Sequence, residues 1–494
     1  MEKNLYVTFN SMEKKVLPKH YHTFGSIPNG VIYVAQNATE GCQFSVLSKK
    51  GQYKNLKIEV VGDLDAGVKI ELLREGYVSC EGALYPDPVF KDDCCFDLDE
   101  LKNVTYLINA STTLETAPGN YEFKVNLYID GELYGEYNLS VRVWNFAINP
   151  EEYMDTSFGI DTKWLFMQHK TDDKEAMYKK YYDMLLERYH ICGLNLPYDI
   201  LDPRADEYLN DPRVTSFKLP YIVSDEQTSP EEAKQKMVDY YNKLKTNPKW
   251  LEKAMFYVVD EPLKMEDYER IREVCENLES FYPEYKLVVP YFMDPRDGEG
   301  KRAVDLLEKY NVIWCPKSCL FKDEWMKDYM ASRREKGDLT WWYCCWEPQL
   351  PYANLFIDME GFYHRVLLWQ QYSYGVNGFL YWQTTHWECG SPWDYANMVP
   401  WLSYYCFGDG TLLYNGDRIG VDGPVGSLRL EIVRSAIEDY HMLQMAEKAF
   451  GRQYVEEQIS RVTANIREYC DDHRLLTKVR TEIGQKLSEY YTNK

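Results

Sequence analysis

From Asn149-Pro150 onward the chain repeats one pattern: a short apolar run, then a longer charged segment with apolar residues three and four apart. That alternation constrains the fold more than any other feature. Short buried strands separated by amphipathic helices form a parallel sheet, because each strand must cross over a helix before it can pair in the same direction. Eight runs qualify: TSFGID (156–161), HICGLNL (190–196), FKLPYIV (217–223), MFYVVD (255–260), KLVVPYF (286–292), VIWCPK (312–317), TWWYCCW (340–346) and GFLYWQT (378–384). Eight such units predict a (β/α)8 TIM barrel over residues 150–445. Between them lie helical segments such as EDYERIREVCENLESF, and the SPEE at Ser229 reads as a capped helix start with Pro at its first position.

The chain before residue 150 reads differently. Period-two runs such as NLKIEVVG and YEFKVNLYIDGELYGEYNLSVRVW, with Asp130-Gly131 as a hairpin turn, predict an antiparallel β-sandwich over residues 1–149. Residues 446–494 read as a helical extension. In 494 residues two or more structural units are expected.

Charge and composition exclude several functions. A formal net charge of −22 offers no cationic surface for a phosphate backbone, so nucleic acid is not expected as a partner. No run approaches the roughly 18 apolar residues of a membrane span, and the start MEKNLYVTFNSMEKKVL has no apolar core after its lysines, so the expected compartment is the cytoplasm. Thirteen cysteines, with neighbours such as Cys94-Cys95 and Cys344-Cys345, fit reduced thiols better than a disulfide framework. The Cys315/Cys319 pair lacks further ligands, and His20 and His22 fit a surface strand as well as a metal, so neither a metal nor another cofactor is expected. Nothing in the sequence speaks to oligomeric state.

The fourth run stops at Asp260-Glu261-Pro262. In a barrel, loops at the carboxyl ends of the strands carry the active site. Two adjacent acids also suit the start of the following helix, so position alone leaves both readings open. As catalysts they have a geometric limit: neighbours cannot flank a glycosidic bond from opposite faces across about 5–9 Å. They can divide the labour when the sugar's own 2-acetamido oxygen attacks the anomeric carbon, one orienting that group and the other moving the proton. Aromatic rings at 15% of the chain, clustered in TWWYCCWEP and FLYWQTTHWECGSPWDY, would suit the flat faces of sugars. Tyr291, Trp314, Trp342, Tyr343 and Trp382 lie near strand ends and are candidate substrate contacts, each with a core reading beside it. Asn195 and Asp199, after the second run, are candidates for sugar hydroxyls or for turn formation. Arg429, Glu431, Arg434, Glu438 and Asp439 read as a salt-bridged helix on the barrel wall.

The set FYVVDEP (256–262), WWYCCWEPQLPYANLFIDMEGFYHRVLLWQQYSYGVNGFLYWQTTHW (341–387), GDGTLLYNG (408–416) and GPVGSLRLEIVRSAIEDYHML (423–443) resembles the family 123 glycoside hydrolases over about residues 155 to 445. The resemblance implies a β-sandwich followed by a (β/α)8 barrel, acting on terminal β-linked N-acetylgalactosamine of a glycan or glycoconjugate by an acetamido-assisted, retaining mechanism. It gives Asp260 the acetamido-orienting role and Glu261 that of general acid/base. Two rival readings remain: a non-catalytic carbohydrate-binding or scaffold protein, and a glycosidase for sugars without an acetamido group, which would need a remote nucleophile such as Glu347 or Asp394.

Overall fold

The computed structural model describes residues 4–19, 27–63, 67–291 and 300–494, without the side chains of 291 and 300–303. His20 and His22 lie outside them. Among the described residues ten strands precede residue 150: β1 Leu5–Ser11, β2 Asn29–Gln36, β3 Thr39–Ser48, β4 Tyr53–Gly62, β5 Lys69–Cys80, β6 Ala83–Phe90, β7 Cys95–Leu98, β8 Asn103–Ser111, β9 Gly119–Ile129 and β10 Glu132–Ala147. They form two sheets, ordered β1-β3-β8-β5-β6 and β2-β10-β9-β4-β7. The sheets face each other through rings such as Phe44 of β3 and Tyr137 of β10, whose centroids are 5.6 Å apart. The alternation read from the sequence appears as buried Phe123, Val125 and Leu127 on β9. Asp130 and Gly131, at φ +50° and +83°, make the expected tight turn. One pairing departs from the antiparallel expectation: β2 runs parallel to β10, which the long stretch of chain between them permits.

After residue 150 the strands are β11 Asp155–Phe158, β12 Phe217–Leu219, β13 Ala254–Tyr257, β14 Leu287–Tyr291, β15 Val312–Pro316, β16 Trp341–Cys344 and β17 Gly378–Tyr381. They make two parallel sheets, β11-β17-β16 and β12-β13-β14-β15. Seven of the eight predicted runs are therefore strands, each shorter than its apolar run. The eighth, 190–196, is not. It begins with His190 in a left-handed conformation, φ +58°, and contributes one parallel bridge from Gly193 to Phe158. The Cys192 amide goes to the Thr156 hydroxyl at 2.9 Å rather than to a ladder. On its other side Leu194 accepts the Lys218 amide at 2.8 Å. Parallel bridges also join Trp314 to Thr340 and Lys317 to Tyr343, across β15 and β16.

The strand alternation sorts the side chains into two sets. Met255, Val288, Ile313, Cys315, Trp341, Tyr343 and Leu380 form one cluster on the inner side. Phe256, Leu287, Val289, Val312, Trp314, Trp342 and Phe379 join the main core with the helices. The helix Pro230–Leu244 starts as expected: Ser229 and Glu232 cap each other through the Glu232 amide to the Ser229 hydroxyl (3.2 Å) and the Ser229 amide to the Glu232 carboxylate (2.9 Å).

Two later strands, β18 Tyr414–Asn415 and β19 Pro424–Ser427, extend the first N-terminal sheet beyond β6. The helix Leu428–Phe450 follows and is buried along its whole face from Leu428 to Leu443, charged residues included. The expected salt-bridged helix on the barrel wall is salt-bridged but buried. Among the described residues Glu431–Arg434 is the one intrahelical pair. The other partners come from elsewhere in the chain: Asp87 of β6 for Arg429, Arg188 for Glu431, and Arg365 and Arg480 for Asp439. Buried charges must be paired, and here the pairing ties the helix to the N-terminal sheets. Two more helices follow, Arg452–Ser460 and His473–Thr492, joined by a non-helical stretch bridged from Thr463 to Tyr469.

All thirteen cysteines are free thiols, eight of them buried. Titration with a thiol reagent under denaturing, non-reducing conditions is expected to return thirteen thiols; several stable bridges would contradict the packing.

Candidate active site

Asp260 and Glu261 lie just beyond the carboxyl end of β13. A proline at 262 favours an extended conformation in the residue before it. Instead Glu261 is left-handed, at φ +46°. A non-glycine residue there carries strain on the order of 1–3 kcal/mol, which the surroundings must hold in place. The conformation has a geometric result. Adjacent side chains on a strand point to opposite faces, and the left-handed residue breaks that alternation. The Tyr257 hydroxyl donates to Asp260 Oδ1 at 2.6 Å, and the Tyr343 hydroxyl at the end of β16 donates to Glu261 Oε1 at 2.5 Å. Both phenols belong to the inner cluster, so the two carboxylates converge on one place.

Their environments differ. Asp260 is exposed, whereas Glu261 is half-buried. Burial pushes the Glu261 pKa up, the charges of Asp260 and Glu347 add to it, and the Tyr343 hydrogen bond and the Lys317 cation oppose it; the net shift is upward. Tyr257 and Tyr343 are themselves raised, first by burial and then by the carboxylates they serve, so both remain protonated donors. Lys317, one residue past β15, is buried and pairs with Glu347 Oε2 at 2.7 Å.

A cavity of about 270 Å³ opens beside Asp260, lined by Lys218, Tyr257, Tyr381, Trp382 and Gln383 among others. Trp382 stands over His386 with ring centroids 4.8 Å apart, and His386 pairs with Asp161, just beyond β11, at 3.2 Å. A larger cavity of about 990 Å³, between β1, β2 and the helix His473–Thr492, shares no residue with this site. Among the described residues no group of three His, Cys, Asp or Glu could hold a metal ion, and no helix is long and apolar enough to cross a membrane.

The other residues singled out from the sequence fall as follows. Tyr343 and Trp382 are at the site. Trp314 and Trp342 are not: they lie on the opposite strand parity, fully buried against Tyr329 and Phe321. Asp199 closes its own loop, accepting the Leu201 amide and the Tyr240 hydroxyl, each at 2.9 Å. Asn195 is exposed, and its carbonyl takes the Tyr178 hydroxyl at 2.9 Å. Neither Asn195 nor Asp199 lines the cavity. Tyr291 ends β14, and its side chain lies outside the described residues. Sequence reasoning passed over Tyr257, Lys218, Lys317, Asp161 and Gln383, which share one signal: each sits in or just after the end of a strand.

The catalytic-domain model of glycoside hydrolase family 123 matches residues 194–446, about half the chain. The chain belongs to glycoside hydrolase family 123. The match spans β12 to β19 and most of the buried helix, and so includes both acids. A family 123 glycoside hydrolase from Clostridium perfringens, solved for the details of glycolipid glycan hydrolysis, shares the fold of this family 123 chain over 99% of each protein, with a TM-score of 0.72 and 14% identity. A GH5 xyloglucanase from Bacteroides ovatus is far less similar, with a TM-score of 0.26 and 7% identity over 83% of this chain and 98% of that one. No curated protein matches the family 123 chain in sequence.

Proposed function

We propose that this family 123 hydrolase removes terminal β-linked N-acetylhexosamine, N-acetylgalactosamine in preference, by acetamido-assisted retaining hydrolysis on a (β/α)8 barrel that follows a β-sandwich. The observation that carries the reading is the convergence of Asp260 and Glu261 on the two phenols of one inner cluster. In this mechanism Asp260, oriented by Tyr257, holds the acetamido N–H and stabilises the positive charge that grows as its oxygen attacks the anomeric carbon. Glu261, raised by burial, gives its proton to the leaving oxygen and then takes one from the water that opens the oxazoline.

Three further features support it. The cavity, about 270 Å³, falls just below the roughly 300 Å³ at which ligand sites begin, a size that suits one sugar ring at a chain end. Asp394, one remote nucleophile of the rival reading, is engaged otherwise, with Arg418 at 2.6 Å in an exposed loop. The parallel bridges at Gly193, Thr340 and Tyr343 support closure of the two parallel sheets into a barrel. For the leaving group, the Clostridium perfringens relative points to the glycan of a glycolipid.

Aryl β-glycosides with and without the 2-acetamido group test the reading. Hydrolysis is expected only with it, with competitive inhibition by an oxazoline-mimicking thiazoline and no covalent labelling by epoxide or fluoro-sugar traps. Equal turnover of both glycosides, or a labelled carboxylate in the intact mass, would overturn it.

A further inference from the structure

Asp409 is fully buried, yet its partners are side chains of the cavity wall. Its Oδ1 accepts from the Tyr381 hydroxyl and from the Trp382 indole N–H, each at 3.1 Å, and Oδ2 has no hydrogen-bond partner among the described residues. The Tyr381 hydroxyl in turn accepts the Gly410 amide at 3.2 Å. Burial pushes the Asp409 carboxyl up to about 6, against the pull of these two donors. A carboxylate in such a place costs stability that an apolar residue of the same size would not, so a role in orienting its donors is the physical account of its presence.

The loop that carries Asp409 is pressed against Trp382 and held from behind. Gly408 and Gly410 are left-handed, at φ +80° and +69°, and a Cβ at Gly410 would come within 2.5 Å of the indole. Behind the loop, the buried Arg429 donates to the carbonyls of Gly408 and Leu355, each at 2.8 Å, and to that of Thr411. Its other face grips both oxygens of Asp87, on β6, at 2.8 Å each. A continuous chain of polar contacts thus runs from the N-terminal sheet, through Arg429 and the 408–411 loop, to Asp409 and then to Trp382 beside Asp260.

We infer that Asp409 is a positioning residue for the sugar site: it fixes the Trp382 indole as a wall of the cavity, and the Asp87–Arg429 pair anchors the loop that presents it. Resting on the sugar-site reading above, this makes the N-terminal sheets part of substrate binding, although none of their residues line the cavity. Loss of the acceptor leaves the indole N–H of the half-buried Trp382 without its partner, and the ring must turn to find another. Trp382 contacts ground state and transition state alike, so the loss falls on KM rather than kcat.

The test uses Asp409→Leu, Asp409→Asn and Trp382→Phe, with KM, kcat and thiazoline Ki as readouts. Asp409→Leu is expected to raise KM and Ki about tenfold or more while kcat stays within about threefold. Asp409→Asn keeps an acceptor and should restore both to within about threefold. In the Trp382→Phe background, which has no N–H to hold, Asp409→Leu should cost at most about twofold more, because residues acting through one bond are not additive. Equal losses in both backgrounds, an Asn variant as damaged as Leu, or a loss in kcat alone would overturn the inference. If Asp409→Leu does not fold, Asp409→Ser, too short to reach the indole, replaces it.

A second arm does not depend on turnover. With 5-fluorotryptophan incorporated, the ¹⁹F resonance absent from Trp382→Phe identifies Trp382; it should shift or broaden in the Leu variant and remain in place in the Asn variant. An unchanged resonance in the Leu variant would refute the positioning role even if the enzyme proves inactive on acetamido sugars, an outcome that would instead defeat the proposed function.

Discussion

Glu261→Gln is expected to lose about 10² to 10⁴ in kcat/KM on glycosides with poor leaving groups, the usual contribution of proton donation, and far less on nitrophenyl glycosides, whose leaving groups need little protonation. Asp260→Asn should lose on both, because formation of the oxazoline itself is impaired. The structure adds a pH arm to this comparison. A general acid works while protonated, and Glu261 is raised by burial and by Asp260. Activity should therefore hold to a higher pH than an ordinary carboxyl allows and fall as pH rises through the Glu261 value. Tyr343 opposes that rise through its hydrogen bond, so Tyr343→Phe should move the falling limb to still higher pH, and Glu261→Gln should abolish it. Equal losses for both acid variants on both substrate types would overturn the division of roles. Full activity in either would return the pair to the start of a helix.

The second large effect concerns stability. Arg365 lies at the centre of a buried network: it binds Glu13 and Glu40 of the N-terminal region and Asp439 of the buried helix, all almost completely shielded from water. Arg365→Met removes the cation and leaves three carboxylates, of which Arg480 reaches only Glu40 and Asp439. Removing one partner of a buried ion pair typically costs about 3–5 kcal/mol, and the urea midpoint should fall accordingly. The exposed pair Arg418–Asp394 is the control, where Arg418→Met is expected to change stability by about 0–1 kcal/mol. The pH dependence follows from the direction of the shifts. Burial pushes Glu13 and Asp439 up, but Arg365 outweighs it for Glu13, and Arg365 with Arg480 outweighs it for Asp439, so both end lowered. Groups lowered in the folded state stabilise it above their unfolded pKa and lose that contribution as pH falls through the folded one. The gap between wild type and Arg365→Met should therefore be full at neutral pH and shrink on acidification below the ordinary carboxylate range. A variant within about 1 kcal/mol of wild type at neutral pH would show that the network does not hold the two regions together.

Read alone, the sequence determined what local backbone physics decides. Apolar runs placed seven strands after residue 150, period-two alternation placed the N-terminal sheets, and Asp130-Gly131 and Ser229 marked a turn and a cap that the structure contains. The acids at 260 and 261 were legible for the same reason, since a polar pair that halts an apolar run marks a strand end. What the sequence could not decide was the phase of each strand. Trp341 and Trp342 are adjacent and chemically alike, yet only Trp341 faces the inner cluster, because the register with β17 and β15 sets the parity. Trp314 and Trp342 take the core reading on that account.

The left-handed turn at Glu261 was also hidden, because Pro262 favours the opposite conformation and the contact made by the Glu261 side chain, with the Tyr343 hydroxyl, comes from a distant strand. So were the pairings of Asp87 with Arg429 and of Arg365 with Glu13 and Glu40, which join residues more than 300 positions apart. No local pattern encodes such contacts, and their entropic cost grows only slowly with the length of chain between them. Packing chooses them: once the helix Leu428–Phe450 is buried, its charges must find opposite partners from distant parts of the chain, and one of these pairs, Asp87 with Arg429, fixes the loop behind Trp382.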